Sequence, residues 1–180
     1  MRMPRSILPL TAVALAGCAA GPPRLTDGAQ TAELSFLVDN DSRHTTGRFI
    51  QIYSYSDLSC QNGQRLVNKW FVGDKKDFGP YKIEANRPLV FEIAYGETRF
   101  AQNRDCYVRG SFVPGQDKHY QIAYHSVEQV AQCGVEILEG TSGQYAKVEA
   151  EFPDQVCHKS PAGTQENGQP GYLQWSVRVH

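Results

Sequence analysis

Helical periodicity is nearly missing from this chain, and so is any long apolar run. The one apolar stretch near the start, residues 7–16, falls short of the roughly 20 residues that a membrane-crossing helix needs, and Pro9 and Thr11 interrupt it. It is too short to span. Also missing are a Gly-x-Ser-x-Gly elbow, a His-Glu-x-x-His pair, a phosphate-binding loop and a dinucleotide fingerprint. No two cysteines stand in a Cys-x-x-Cys pair, the spacing that a redox-active thiol would want. Charge of one sign is lacking too: 18 Lys and Arg stand against 19 Asp and Glu, a net charge of −1. That balance argues against a nucleic-acid interface or a polybasic membrane surface.

What is present starts at the N-terminus. Arg2 and Arg5 form a positive leader, the apolar stretch follows, and Leu15-Ala16-Gly17-Cys18 closes it. This tetrapeptide resembles the lipobox of bacterial lipoproteins. The resemblance implies that residues 1–17 are a signal peptide, recognised through Leu15, Ala16 and Gly17, and that a dedicated peptidase cuts just before Cys18. The Cys18 sulfur would then carry a diacylglyceryl group, and its freed amine a further acyl chain such as palmitate. Small residues leave the scissile bond accessible, Leu15 fills an apolar subsite, and only a thiol makes the thioether. Ala14 and Ala16 would also suit an ordinary secretory signal, in which Cys18 is incidental. Ala19 follows the cysteine where an aspartate would tend to hold a Gram-negative lipoprotein at the inner membrane. By resemblance, then, the expected address is the outer membrane, facing the periplasm.

Removing 17 of the 180 residues leaves 163, a usual size for one domain. The leader holds two basic and no acidic residues, so 16 cations face 19 anions in the mature chain, a charge of −3. Residues 18–30 are small, polar and proline-containing around Gly21-Pro22-Pro23, the composition of a flexible tether that holds the domain a short way off the bilayer. Residues 31–180 would be the domain. Beyond Cys18 four cysteines remain, Cys60, Cys106, Cys133 and Cys157; an even number in an exported chain reads as two disulfides.

Period-two alternation dominates the domain. Ala32, Leu34, Phe36 and Val38 share one face. Ile50 and Ile52 oppose Phe49, Tyr53 and Tyr55, so both faces of that strand look covered. A strand over 64–72 carries Trp70 after an Asn62-Gly63 turn. Residues 73–80, with Lys75, Lys76 and two aspartates, read as a solvated charged loop. Tyr81, Ile83 and Ala85 and then Leu89, Phe91, Ile93 and Tyr95 suggest a hairpin about Asn86-Arg87-Pro88, with a polar loop over 96–105. Cys106, Val108, Gly110 and Phe112 alternate up to the Pro114-Gly115-Gln116-Asp117 turn, and Tyr120, Ile122 and Tyr124 return. Residues 126–132 could hold a helical turn. Cys133, Val135 and Ile137 then alternate, Ala146, Val148, Ala150 and Phe152 return, and after a long connection over 153–171 a last strand runs over 172–180. The expected fold is all-β: a two-sheet antiparallel sandwich of about eight to ten short strands, transthyretin-like or immunoglobulin-like, with two disulfides.

Cys106, the Phe112-Val113-Pro114-Gly115 corner, Tyr120 and Cys133 resemble uncharacterised Gram-negative lipoproteins with a transthyretin-like β-sandwich. The resemblance covers about the central hundred residues and implies no activity. It implies a Cys106–Cys133 bridge and leaves Cys60 for Cys157, one of the three connectivities that four cysteines allow. A simple meander opposes that pairing, because its outer strands would lie about 9 to 10 Å apart while a bridge needs roughly 4.4 to 6.8 Å between Cα atoms. The pairing would need one cysteine in a bent loop or in the other sheet.

No cofactor and no metal is expected. His119 and His125 share a strand face, but six residues at about 3.3 Å place them about 20 Å apart, too far to share an ion. His44, His158 and His180 lie in or beside loops. Without a catalytic motif the chain is read as not an enzyme: a lipid-anchored envelope protein, most simply a binding or structural module with a protein, glycan or small-ligand partner. The alternative is an envelope hydrolase whose site is assembled from dispersed residues, since carboxylate sites leave little local pattern. An exposed cluster among Tyr53, Tyr55, Tyr107 and Tyr145 would favour ligand or glycan binding; a concave pocket of convergent Asp, Glu or His would favour the enzyme.

Overall fold

Two sheets face each other across one core in a computed structural model, which describes residues 21–40, 47–71, 75–99, 102–127, 132–141, 143–153, 157, 172–174 and 176–179. In β1 (Thr31–Asn40) the alternation sends Ala32, Leu34, Phe36 and Val38 into the core. Its neighbours are β4 (Lys75–Glu84), antiparallel, and β7 (His119–Val127), parallel. β8 (Gln132–Thr141) follows β7, and its free edge is shared by β9 (Gln144–Lys147) and β10 (Tyr172–Gln174). The order of this six-stranded sheet is β10-β8-β7-β1-β4, with β9 beside β8.

The second sheet runs β11-β6-β5-β2-β3, made of β2 (Gly47–Tyr55), β3 (Gln64–Phe71), β5 (Leu89–Arg99), β6 (Gln102–Phe112) and β11 (Ser176–Val179). Its inner face contributes Ile50, Ile52, Phe91, Ile93, Tyr95, Cys106, Val108 and Phe112 to the same core as Ile83, Ile122, Tyr124, Val135 and Ile137 of the first sheet. A fully buried Ile or Phe contributes about 1.5–3 kcal/mol. A register shift between Ile52 and Tyr53 lets Leu66 and Val67, adjacent in sequence, both be buried. Gly110 stands opposite Phe91, where an added Cβ would come within 2.6 Å of the ring, so the missing side chain makes room for the aromatic.

The all-β sandwich with two disulfides is as expected, Cys60–Cys157 and Cys106–Cys133 included. An immunoglobulin domain keeps its first two strands in one sheet. Here β1 and β2 lie in opposite sheets, so the strand order is not that of an immunoglobulin domain.

Several local expectations are corrected. Residues 75–80 belong to β4 rather than to a loop, because pairing with β1 satisfies the backbone whatever the side chains are, and charge suits an edge strand. A register shift between Leu34 and Phe36 accommodates Gly79 at φ +102°. The polar loop over 96–105 is mostly strand, β5 reaching Arg99 and β6 starting at Gln102. β4 and β5 are not a hairpin, and neither are β6 and β7; each pair crosses between the sheets. After β9 the chain leaves its sheet, and Glu151 bridges to Ser111 in the other. The last strand is split, β10 pairing with β8 and β11 with β6, across the side of the sandwich where Cys106 meets Cys133. Of the helical turn expected over 126–132, Ser126 and Val127 are strand; residues 128–131 lie outside the described set.

Connections 56–63, 85–88 and 113–118 gather at one end of the sandwich, together with residues 21–30. That N-terminal segment, read as tether, is hydrogen-bonded along its length. Gly21 N–H donates to the Arg65 carbonyl (3.1 Å), Arg24 N–H to Gln64 Oε1 (3.0 Å) and Thr26 N–H to Glu84 Oε1 (2.6 Å), while Ala85 N–H donates to the Gln30 carbonyl (2.8 Å).

Candidate functional site

The pleat of β2 turns Phe49, Gln51, Tyr53 and Tyr55 away from the core, and β3, β5 and β6 extend that outer face sideways. One half of it is open. Trp70, on edge strand β3, is 67% exposed, and its ring centroid lies 5.0 Å from that of Phe49 at 43°. The indole lies over Gly47, where an added Cβ would stand 3.5 Å from the ring, at ordinary contact distance. Next along the two strands Gln51 Nε2 donates to Asn68 Oδ1 (3.3 Å), which leaves other donors and acceptors of both amides facing water. An aromatic platform thus runs into a pair of exposed amides.

The other half is covered. Glu92 and Arg109 stand opposite each other on β5 and β6, both buried, beneath the Cys60–Cys157 disulfide. Arg109 Nη1 lies 3.1 Å from each sulfur, and Cys157 N–H donates to Glu92 Oε2. Tyr53 and Tyr55 stack beside them, ring centroids 6.3 Å apart. Burial drives the Tyr55 phenol far above its ordinary value, with the charge of Glu92 adding to it, and burial raises Tyr53 as well. Both are neutral hydrogen-bonding phenols in any physiological medium.

At the end of the sandwich a cleft of about 700 Å³ opens between the N-terminal segment and the turns. Arg24, Arg65 and Arg87 line it with Tyr55, Pro23 and Glu84. Glu84 holds Arg87 (2.7 Å), and its carboxyl is kept below the ordinary range by hydrogen bonds from Thr26, with help from the Arg87 charge.

Of the residues singled out in the sequence, Tyr53, Tyr55 and Tyr107 share this sheet's outer face, each half-buried, whereas Tyr145 is apart on β9 of the other sheet, 43% exposed. His119 pairs with Glu33 (3.0 Å), and His125 lies six residues further along the same strand. Among the described residues no group of three or more His, Cys, Asp or Glu is placed to hold a metal ion. Leu15, Ala16, Gly17, Cys18, His44, His158 and His180 lie outside the described residues. Trp70 was missed as a site residue; its signal was a large aromatic in register with Asn68, on the face that does not carry Val67.

No family model matches the chain, and neither a curated protein nor a solved structure is significantly similar to it.

Proposed function

We propose that this chain is a lipid-anchored envelope protein, attached through Cys18 to the periplasmic face of the outer membrane, and that it acts as a glycan-binding module through the open half of the β2–β3 face. The observation that carries the binding assignment is Trp70, an indole 67% exposed and braced by Phe49 beside the Gln51–Asn68 amide pair. Aromatic faces stack on the C–H faces of sugar rings at little entropic cost, and amides read hydroxyl and acetamido groups. Tryptophan is enriched among the residues that carry binding energy at recognition surfaces. The hydrolase alternative finds less support, because Glu92 and Arg109, which face each other on this sheet, are buried under the disulfide and out of reach of a substrate.

The test is binding of the full-length protein, purified in detergent, to purified cell-wall sacculi and to soluble N-acetylated amino-sugar oligomers. Binding with a change in tryptophan fluorescence is expected, and Trp70→Ala should abolish it while shifting unfolding by no more than about 0.5 kcal/mol, the usual effect at an exposed site. Equal binding by the variant, or none by the parent, would remove the assignment.

A further inference from the structure

The hydrogen bond from Gly21 to Arg65 limits how far the domain can stand from its anchor. Two residues, Ala19 and Ala20, lie between Cys18 and Gly21, and the three steps along the chain, at about 3.3–3.6 Å each, reach about 10 Å. Gln64 reinforces that attachment, its Nε2 donating to the Pro22 carbonyl and its Oε1 accepting from Arg24 N–H (3.0 Å). The end of the sandwich that holds residues 21–30 therefore lies within reach of the headgroup layer, and the opposite end points away from it.

That end has the chemistry of a lipid interface. Leu25, Leu58 and Val113 are the large aliphatic side chains exposed among the described residues, at 38%, 41% and 58%, and all three sit on the segment and turns that gather there. Trp70 and its face begin from the other end of β3. Between the turns is the cleft with Arg24, Arg65 and Arg87. Several carboxylates at this end are already engaged. Asp57 accepts from Ser59 and Gln61 within its own turn, Asp117 from Gln116, Glu139 from Lys118, and Glu84 from Thr26 and Arg87. Asp27 is exposed nearby, whereas the Arg24 guanidinium has no carboxylate partner among the described residues.

We propose that this end docks on the bilayer that carries the anchor, with Leu25, Leu58 and Val113 entering the interface and a lipid headgroup phosphate taken into the cleft by Arg24 and Arg87. Guanidinium forks match phosphate oxygens, and short aliphatic side chains insert into the headgroup boundary without spanning it. The proposal rests on the lipid-anchor reading of Cys18. It orients the molecule so that the Trp70 end faces the periplasm.

The test places a photoactivatable benzophenone side chain at position 58, 113 or 70 of the full-length protein in cells grown with radiolabelled phosphate. Light should attach labelled phospholipid at 58 and 113, severalfold more than at 70. Arg24→Glu combined with Arg87→Glu should lower the yield at 58 severalfold while acyl labelling of Cys18 stays unchanged. Acyl-labelled, membrane-bound protein that forms no phospholipid adduct at 58 and 113, forms as much at 70, or crosslinks there to protein instead, overturns the docking and leaves the anchor standing. Loss of acyl labelling in the parent overturns the anchor reading, and the docking with it.

Discussion

Cys106 and Cys133 reach each other from opposite sheets, one on β6 and the other on β8, with Cα atoms 6.4 Å apart. A meander would have kept them too far apart; the crossing between β6 and β7 is what brings them together. Loop-closure entropy assigns about 3.5 kcal/mol to a separation of 27 residues and about 4.7 kcal/mol to one of 97, the separation of Cys60 and Cys157. Replacing either pair with alanine should lower stability to urea by amounts of that order, and peptide mapping of the native protein should return both bridges with no free thiol. A pair variant as stable as the parent would show that its bridge constrains nothing.

Cys18→Ser should abolish acyl labelling and stop the lipoprotein-specific cut, since a hydroxyl does not replace the thiolate. Each buried methylene contributes about 0.8 kcal/mol, so one chain holds weakly and two or three hold firmly. Unchanged processing and membrane retention in the variant would refute the anchor.

Acid should loosen the N-terminal segment. The Glu84 carboxyl lies below its ordinary value because Thr26 donates to it and Arg87 faces it. A depressed folded value means that the unfolded chain takes up the proton first as pH falls. The stabilisation is therefore complete above the ordinary Glu value of about 4.3 and is lost as pH drops through the folded value. Glu139, lowered by the hydrogen bond from Lys118, has the same sign. Unfolding midpoints followed downwards from neutral pH should fall less steeply in Glu84→Gln than in the parent, and amide exchange at Thr26 should rise in the variant. Parallel pH curves would count against this contact.

Arg48 and Glu97 stand opposite each other on β2 and β5, buried at one end of the core, where Glu97 also accepts from the Tyr95 hydroxyl (3.0 Å). Tyr95 packs on Tyr124, ring centroids 5.1 Å apart, and burial raises both phenols far above their ordinary range. Glu97→Leu removes the carboxyl that faces the buried Arg48 across the two strands, and a loss of about 3–5 kcal/mol is expected if the two act as a buried pair. Adding Arg48→Met should recover much of that loss in thermal unfolding. A double variant no better than the single would mean that the two charges do not act as a pair.

Which residues face the core was written in the alternation. Ala32 to Val38 in β1, the two isoleucines of β2, and Cys106, Val108, Cys133, Val135 and Ile137 are all buried as their period-two spacing requires, because a sandwich strand buries one face and wets the other. Turns marked by Asn62-Gly63 and by residues 114–117 were equally local. Residues 75–80 and 96–105 were misread for the same local reason: charged and polar strand ends look like loops, and only a neighbouring strand supplies the hydrogen bonds that make them strands.

By itself, then, the sequence determined the all-β class, the inward residues and the even set of cysteines, since each follows from residues near one another in the chain. Tertiary structure alone decided which sheet each strand joins, because a short corner, four residues at 85–88 or six at 113–118, can fold back as a hairpin or cross the core with the same side-chain pattern. From that choice follow the bridges, the buried Glu92 under Cys157, the cleft between 21–30 and the turns, and the exposure of Trp70. Each joins residues tens of positions apart, whose proximity is a property of packing and not of any local period.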